Sequence, residues 1–364
     1  MTSSDKGIKK FREKIDSLDK KIVELLNSRA STAIKISQRK KQNSYDIYDP
    51  VRESEIIKKL RAINKGPLSG EQLVSVFRQI ISVCREIQKP VSLSVLGPGG
   101  SYTHQVAQKI LGNTVDIVPL ENIEEVFNSV QKRLTEFGVV PVENSMEGSV
   151  GLVLDKLLET DVKICAEHYE RISHCILSVT GDFNDIKIIA SHPQALGQCR
   201  KWLTREVKSV KIEYKEVSST ARAAQIASEN RNIAAIAGEI NADLYRLKLI
   251  SRNIQDSASN TTRFIVIGYR DNTISSKDKT SIVFSLRDEP GALSNALLPF
   301  ENAGINLTKI ESRPSRTKSW DYTFYVDFIG HSASKSMRKV LRDVEKSCIF
   351  LKVLGSYPRS TGSY

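Results

Sequence analysis

Between Lys9 and Gln42 the chain has neither proline nor glycine, and apolar residues recur at Phe11, Ile15, Leu18, Ile22, Leu25 and Ile36. The alternating steps of four and three predict one long helix with an apolar seam. At 1.5 Å per residue it runs to about 50 Å, more than a small domain can cover, so an intertwined dimer is expected. Asp49-Pro50 reads as an N-cap followed by proline at the first helical position, opening a second helix to about Asn64, and Lys65-Gly66-Pro67 ends it. Leu73, Val76, Phe77, Ile80, Ile81, Cys84 and Ile87 predict a third helix over 69–88. Residues 1–90 are therefore expected to form an all-α domain.

After Pro90 the texture changes to short β-rich runs, at 93–96, 138–142 and 186–190, each followed by small or polar residues and then a helical stretch. Such alternation predicts an α/β domain over 91–270 with a mostly parallel sheet. Residues 271–279 read as a polar linker. Beyond it the pattern is strand 281–286, helix 292–303, strands 307–313 and 320–328, helix 332–345 and strand 350–357. That order, βαββαβ, predicts a ferredoxin-like module over 279–358.

The 364 residues, 40% hydrophobic and 26% charged, contain no apolar run of membrane-spanning length, which excludes membrane-spanning, collagen-like and wholly disordered classes. Met1 to Lys10 lacks the apolar core of a secretory leader, so a cytoplasmic protein is expected. Five cysteines (Cys84, Cys165, Cys175, Cys199, Cys348) include no Cys-x-x-Cys pair, and no cluster has metal-ligand spacing; neither metal nor cofactor is expected. The net charge of +12 is uneven: residues 1–90 hold 20 Lys and Arg against 11 Asp and Glu. That segment calls for an anionic partner, a nucleic acid or a small polycarboxylate; no aromatic-basic recognition motif accompanies the charge, so the polycarboxylate is preferred.

Continued by its own spacing, the seam of the first helix lands on Arg29 and Lys40, about 20° apart around the helix. Snorkelling stems would explain them, and so would a bound dianion. Arg12 at the other end of the helix, with Arg52 and Glu53 one turn into the second, favours the dianion, because one glutamate does not balance several buried cations. With Phe11-Arg12-Glu13-Lys14-Ile15-Asp16-Ser17-Leu18-Asp19, Leu25-Leu26-Asn27-Ser28-Arg29, Lys40, Asp49-Pro50-Val51-Arg52-Glu53 and Gln88, residues 1–90 resemble the helical chorismate mutase family. The resemblance implies that the partner subunit's Arg12, with Arg29 and Arg52, holds the two carboxylates of chorismate. Lys40 and Gln88 would contact the ether oxygen, and Asp49 and Glu53 would line the hydroxyl side; Cys84 stands where several relatives carry serine. A Claisen rearrangement needs no nucleophile and no proton transfer, so a preorganised set of donors is chemically sufficient.

In the α/β region, Gly97-Pro98-Gly99-Gly100 has Tyr102 where a dinucleotide fingerprint needs its third glycine, so that reading is set aside. Polar residues recur where strands end and helices begin: Ser101 and Thr103, Asn144 and Ser145, Ser191 and His192, Ser219 and Thr220. Each alone reads as a helix cap; together they suit carboxylate binding. Gly97-Pro98-Gly99-Gly100-Ser101-Tyr102-Thr103-His104, Val140-Pro141-Val142-Glu143-Asn144-Ser145, Ser191-His192-Pro193-Gln194-Ala195-Leu196, Ser219-Thr220-Ala221 and Asn260-Thr261-Thr262-Arg263-Phe264 resemble the prephenate dehydratase family. The resemblance implies two α/β lobes in a periplasmic-binding-protein-like arrangement with the site between them. Ser101, Thr103, Asn144, Ser145, Ser191, Gln194, Ser219 and Thr220 would line it, with Thr262 at the leaving hydroxyl and Arg263 anchoring a carboxylate. Hydroxide is a poor leaving group, so a proton must reach it; Glu143 and His192 are both open as members of that relay.

The C-terminal module, with Pro290-Gly291-Ala292-Leu293 and Glu311-Ser312-Arg313-Pro314, resembles an ACT regulatory domain. That implies phenylalanine held by Gly291, Ala292, Leu293, Glu311, Ser312, Arg313 and Pro314 between two modules of a homodimer or higher oligomer. The resemblances together imply chorismate converted to prephenate and then phenylpyruvate, under feedback inhibition by phenylalanine. An arogenate-specific second domain and a non-catalytic amino-acid sensor are the alternatives. Neither a nucleic acid nor a membrane partner is expected.

Overall fold

The computed structural model describes residues 3–42, 48–207, 212–257, 259–314 and 322–360, with side chains in the first helix described over 7–39. Two compact units emerge: one comprises Met1–Asp49, Glu55–Val91 and Leu111–Asp116, the other Pro50–Ser54, Ser92–Ile110 and Ile117–Tyr364.

The first unit is helical. Helix α1 (Ser3–Gln42) is unbroken, as its periodicity predicts. Helices α2 (Pro50–Ile63) and α3 (Gly70–Glu86) follow. A capping box starts α3: the Ser69 hydroxyl accepts from the Gln72 amide at 3.2 Å, and the Gln72 side chain accepts from the Ser69 amide at 2.9 Å. Val74, Ile81 and Cys84 of α3 are buried, yet the α1 seam is not: Phe11 and Leu25 are each 70% exposed. One chain leaves the seam in water.

The second unit begins with β1 (Ser92–Leu96), α4 (Tyr102–Leu111), β2 (Asp116–Leu120), α5 (Ile123–Gln131), β3 (Phe137–Asn144), β4 (Gly148–Ser149), α6 (Gly151–Glu159) and β5 (Lys163–Arg171). The chain then enters a second lobe: β6 (Cys175–Ser178), β7 (Ile188–Ser191), α7 (Pro193–Gln198), α8 (Arg200–Glu206), β8 (Glu213–Glu216), α9 (Thr220–Ser228), β9 (Ile233–Ala237), α10 (Ile240–Leu244) and β10 (Lys248–Ser251). It returns as β11 (Thr261–Gly268) and ends in β12 (Asp278–Leu286), α11 (Ala292–Asn302), β13 (Leu307–Pro314), β14 (Tyr322–Ile329), α12 (Lys335–Glu345) and β15 (Cys348–Pro358).

The first sheet has the order β2-β1-β3-β11-β5 with β4 on β3, the second β10-β6-β9-β7-β8, and the C-terminal sheet β13-β14-β12-β15. The βαββαβ order holds, but the α/β sheets are mixed rather than mostly parallel. Strand β11 lies between β3 and β5 and runs antiparallel to both, because the chain leaves the first sheet through β5 and re-enters it from the second lobe.

Residues 271–279 are not an open linker. Asn272, Asp278 and Lys279 are buried, and β12 starts at Asp278. Polar composition misleads here because Lys279 is charge-paired: its Nζ lies 2.8 Å from Glu167. The C-terminal sheet packs on the first sheet through one shared core that includes Val142, Ile164, Ile265, Ile267, Val283, Tyr325, Leu354 and Tyr357.

Candidate functional site

A cleft of about 280 Å³ opens in the second unit between the two α/β lobes. Its wall is built from the β1–α4 turn (Gly97, Ser101, Tyr102, Thr103), the end of β3 (Pro141, Asn144), the crossing segment (Ile172, His174), α7 with its cap (His192, Gln194, Ala195, Gln198), the start of α9 (Ser218, Ser219, Thr220), Asn260, and Thr262 and Phe264 of β11. No Lys, Arg, Asp or Glu is among these described lining residues. The first turns of α4 and α9 face the cleft, and helix N-termini present N–H groups that hold carboxylates.

The serines that introduce those helices are caps. Ser101 accepts from the His104 amide at 3.2 Å while donating to Leu96 O at 2.7 Å. Ser219 accepts from the Arg222 amide at 3.0 Å. Gly100 has φ +85°, and a Cβ there would collide with the Asn241 side chain, so only glycine fits this turn. His192 is also a cap, its Nδ1 accepting from the Gln194 amide at 3.3 Å, which leaves Nε2 as its other ring nitrogen.

Thr262 is buried, and its Oγ1 lies 2.8 Å from Asn144 Nδ2. The same Nδ2 donates to Asn260 Oδ1 at 2.8 Å, and Asn260 Nδ2 to Gln198 Oε1 at 3.2 Å. Gln198 Oε1 lies 2.9 Å from His174 Nε2, and His174 Nδ1 lies 3.1 Å from the Tyr102 hydroxyl. Burial pushes the His174 imidazolium down and the Tyr102 phenol up, so both rings are uncharged at neutral pH. Sequence reading missed His174, Gln198 and Tyr102. They come from three separate segments; Tyr102 stands between Ser101 and Thr103, and Gln198 one helical turn after Gln194.

The structure thus brings Ser101, Thr103, Asn144, Gln194, Ser219, Thr220 and Thr262 to one cleft. Three expected residues lie elsewhere. Ser145 ties β3 to β11, donating to Ser259 O at 3.1 Å and accepting from the Thr261 amide at 3.0 Å. Ser191 is fully buried, donating to Ile236 O at 2.7 Å. Arg263 follows Thr262 on a strand, and alternation turns it to the opposite face of the sheet. Its Nε meets Glu167 at 3.0 Å, its Nη1 Asp327 at 2.6 Å, and its Nη2 the Tyr357 hydroxyl at 2.8 Å. Burial opposes this charge, but Tyr357, Asp327 and Glu167 outweigh it and hold the guanidinium above its ordinary value. With its fork engaged there, Arg263 does not line the cleft. Glu143 is on that face too, 3.1 Å from Lys309, whereas His192 lines the cleft with Thr262.

On the helices, Arg12 and Arg52 are exposed, Arg29, Asp49, Glu53 and Gln88 half-buried, and Cys84 buried. Gln88 Nε2 donates to Cys84 O at 2.8 Å. The Lys40 side chain lies outside the described residues. Arg12 and Arg29 are separated by about 26 Å of helix at 1.5 Å per residue, so one chain cannot bring both to one small ligand.

In the C-terminal module, Gly291 takes φ +83° at the cap of α11. Ala292 and Leu293 follow, half-buried. Glu311 pairs with Lys309 at 3.1 Å and accepts from the Ser149 hydroxyl, and Arg313 reaches Asp155 at 3.5 Å. Ser312 and Pro314 point to the exposed face of β13. Pairing sets Arg313 opposite Thr323 and Thr323 opposite Ser285, so the Glu311–Pro314 run stands at the end of the sheet from which β12 leads to Pro290 and Gly291.

Comparison with known proteins matches residues 11–89 to chorismate mutase type II, 93–272 to prephenate dehydratase and 280–346 to the ACT domain. A bifunctional chorismate mutase/prephenate dehydratase of Aquifex aeolicus is 43% identical over 357 residues, covering 97% of this chain and 98% of that protein. One from Pseudomonas aeruginosa is 43% identical over 359 residues, with the same coverage. Among solved structures, prephenate dehydratase from Arthrobacter aurescens in complex with L-Phe superposes with a TM-score of 0.68 at 30% identity, covering 74% of this chain and 90% of that one. The Staphylococcus aureus prephenate dehydratase gives 0.63 at 28% identity, covering 73% and 100%.

Proposed function

The chain belongs to the bifunctional chorismate mutase/prephenate dehydratase family, and from that membership we propose how its parts divide the work. Residues 1–90 rearrange chorismate to prephenate, residues 91–270 convert prephenate to phenylpyruvate, and phenylalanine bound at residues 279–358 inhibits the second step. The enzyme serves phenylalanine biosynthesis.

The observation that carries the dehydratase assignment is the Thr262 hydroxyl, aimed at a cleft rimmed by two helix N-termini. In prephenate the bond to the ring carboxylate breaks, its electron pair completes the aromatic ring, and the 4-hydroxyl departs as water with one proton taken up. Thr262 donates to the departing oxygen, and the N–H groups of α4 and α9 hold the side-chain carboxylate. Among the described lining residues there is no Asp or Glu to receive an ammonium, which favours prephenate over arogenate.

For the mutase, the uncovered seam of α1 supports pairing with a second copy, whose Arg12 then joins Arg29, Lys40, Asp49, Arg52, Glu53, Cys84 and Gln88. Replacing Leu18 and Leu25, 49% and 70% exposed in one chain, together with glutamate is expected to slow chorismate turnover by roughly 100-fold, because the site is left incomplete. Unchanged turnover would remove the seam from the interface.

The whole assignment is tested by giving purified protein chorismate alone and separating the products with and without phenylalanine. Phenylpyruvate that falls away when phenylalanine is added is the expected result. Prephenate alone would confine catalysis to the helices, and unconsumed chorismate would leave only a sensor.

A further inference from the structure

Which atom of each amide beside Thr262 is oxygen is settled by backbone donors. The Met146 and Glu147 amides donate to Asn144 Oδ1 at 2.9 and 3.2 Å. The NH₂ group of Asn144 must therefore face Thr262 Oγ1 and Asn260. Asn260 then turns its oxygen to Asn144 and its NH₂ to Gln198, so Gln198 presents an oxygen at the far end. That oxygen already accepts one hydrogen bond, and the group 2.9 Å away on its other side is His174 Nε2. An acceptor facing an acceptor would be repulsive, so Nε2 carries the hydrogen.

The Thr262 oxygen is occupied as an acceptor by Asn144, so its own proton is left to point into the cleft. At the far end, Nδ1 of His174 lies 3.1 Å from the Tyr102 hydroxyl, which donates to Ser173 O at 2.7 Å. The His174 backbone is fixed as well, its amide donating to Gln255 Oε1 at 2.9 Å.

We propose that His174, in its Nε2–H tautomer, is a positioning residue for the dehydration: it holds the far end of the Gln198–Asn260–Asn144 amide chain, whose polarity the Met146 and Glu147 amides fix, and so keeps Asn144 on Thr262 with the Thr262 proton free for substrate. His174 acts through other groups and does not transfer the proton, since side-chain amides do not relay protons at neutral pH. The inference rests on the dehydratase reading of Thr262, and the variants separate the two.

The test has a spectroscopic and a kinetic arm on the full chain. With ¹⁵N-labelled histidine, long-range ¹⁵N–¹H correlation at pH 7 should show one of the five histidines as a neutral Nε2–H ring that disappears in His174→Gln. A neutral Nδ1–H ring or an imidazolium at this residue would overturn the proposal without any variant having to fold. Kinetically, His174→Gln places an amide N–H near the position of Nε2–H and should keep kcat for prephenate within about tenfold. His174→Leu should lose roughly 100-fold in kcat with KM little changed, as misplacement of a donor does. Asn144→Asp, an acceptor that captures the Thr262 proton, should lose at least as much. Circular dichroism and an unchanged melting transition report in each case that the second unit is folded. Wild-type kcat in His174→Leu, with Thr262→Ala inactive, would sink the positioning role alone. An active Thr262→Ala would instead sink the reading beneath it.

Discussion

Thr262→Ala is expected to make prephenate accumulate from chorismate, with phenylpyruvate formation falling by roughly 10²–10⁴-fold, the range a positioned proton donor supplies. The effect should be in kcat rather than KM, because the hydroxyl meets charge that develops only as the C–O bond breaks. Lys40→Ala is the reciprocal: mutase turnover is lost through the missing donor to the ether oxygen, while supplied prephenate is still consumed. The measurement is one chromatographic time course per variant, from chorismate and from prephenate. Equal loss of both steps in either variant would mean that the two reactions do not have separate sites.

Arg263→Met is expected to destabilise the second unit by about 3–5 kcal/mol, the usual result of removing one partner from a buried charge cluster. Glu167 keeps Lys279 at 2.8 Å, and Asp327 keeps the Ser281 hydroxyl, but neither retains the guanidinium that neutralised them together. At roughly 2–4 °C per kcal/mol for a unit of this size, the melting transition should fall by about 6–20 °C. Because Arg263 joins the sheet bearing Thr262 to Asp327 and Tyr357 of the C-terminal sheet, inhibition by phenylalanine is expected to weaken in the same variant. An unchanged melting temperature with a large rise in KM for prephenate would place Arg263 at the substrate after all.

These two neighbours show where sequence reading succeeds and where it stops. The Thr262-Arg263 pair is conspicuous in the chain, and family resemblance offers both residues to the substrate. Strand alternation allows only one of them to face any given side. Which side is the cleft depends on the return of β11 between β3 and β5, and on the C-terminal sheet covering the other face. No local pattern contains either fact. The supposed linker at 271–279 fails for the same reason: Lys279 reads as solvent-loving until Glu167, 112 residues away, is seen beside it.

What the chain determines by itself is local. Helix α1 follows from seam periodicity and the absence of breakers, α3 from its apolar spacing, the α/β texture and the βαββαβ module from alternating periods, and the caps Ser101 and Ser219 from hydroxyls placed before helical runs. Each depends on residues a few positions apart, whose hydrogen bonds or apolar faces are set by backbone geometry alone. The tertiary structure decided the rest: the amide chain from His174 to Thr262 and the diversion of Ser145, Ser191 and Arg263 from the cleft. Those outcomes depend on which surfaces meet and on which buried charge or donor finds its partner, and such partners come from segments too far apart along the chain for spacing to record.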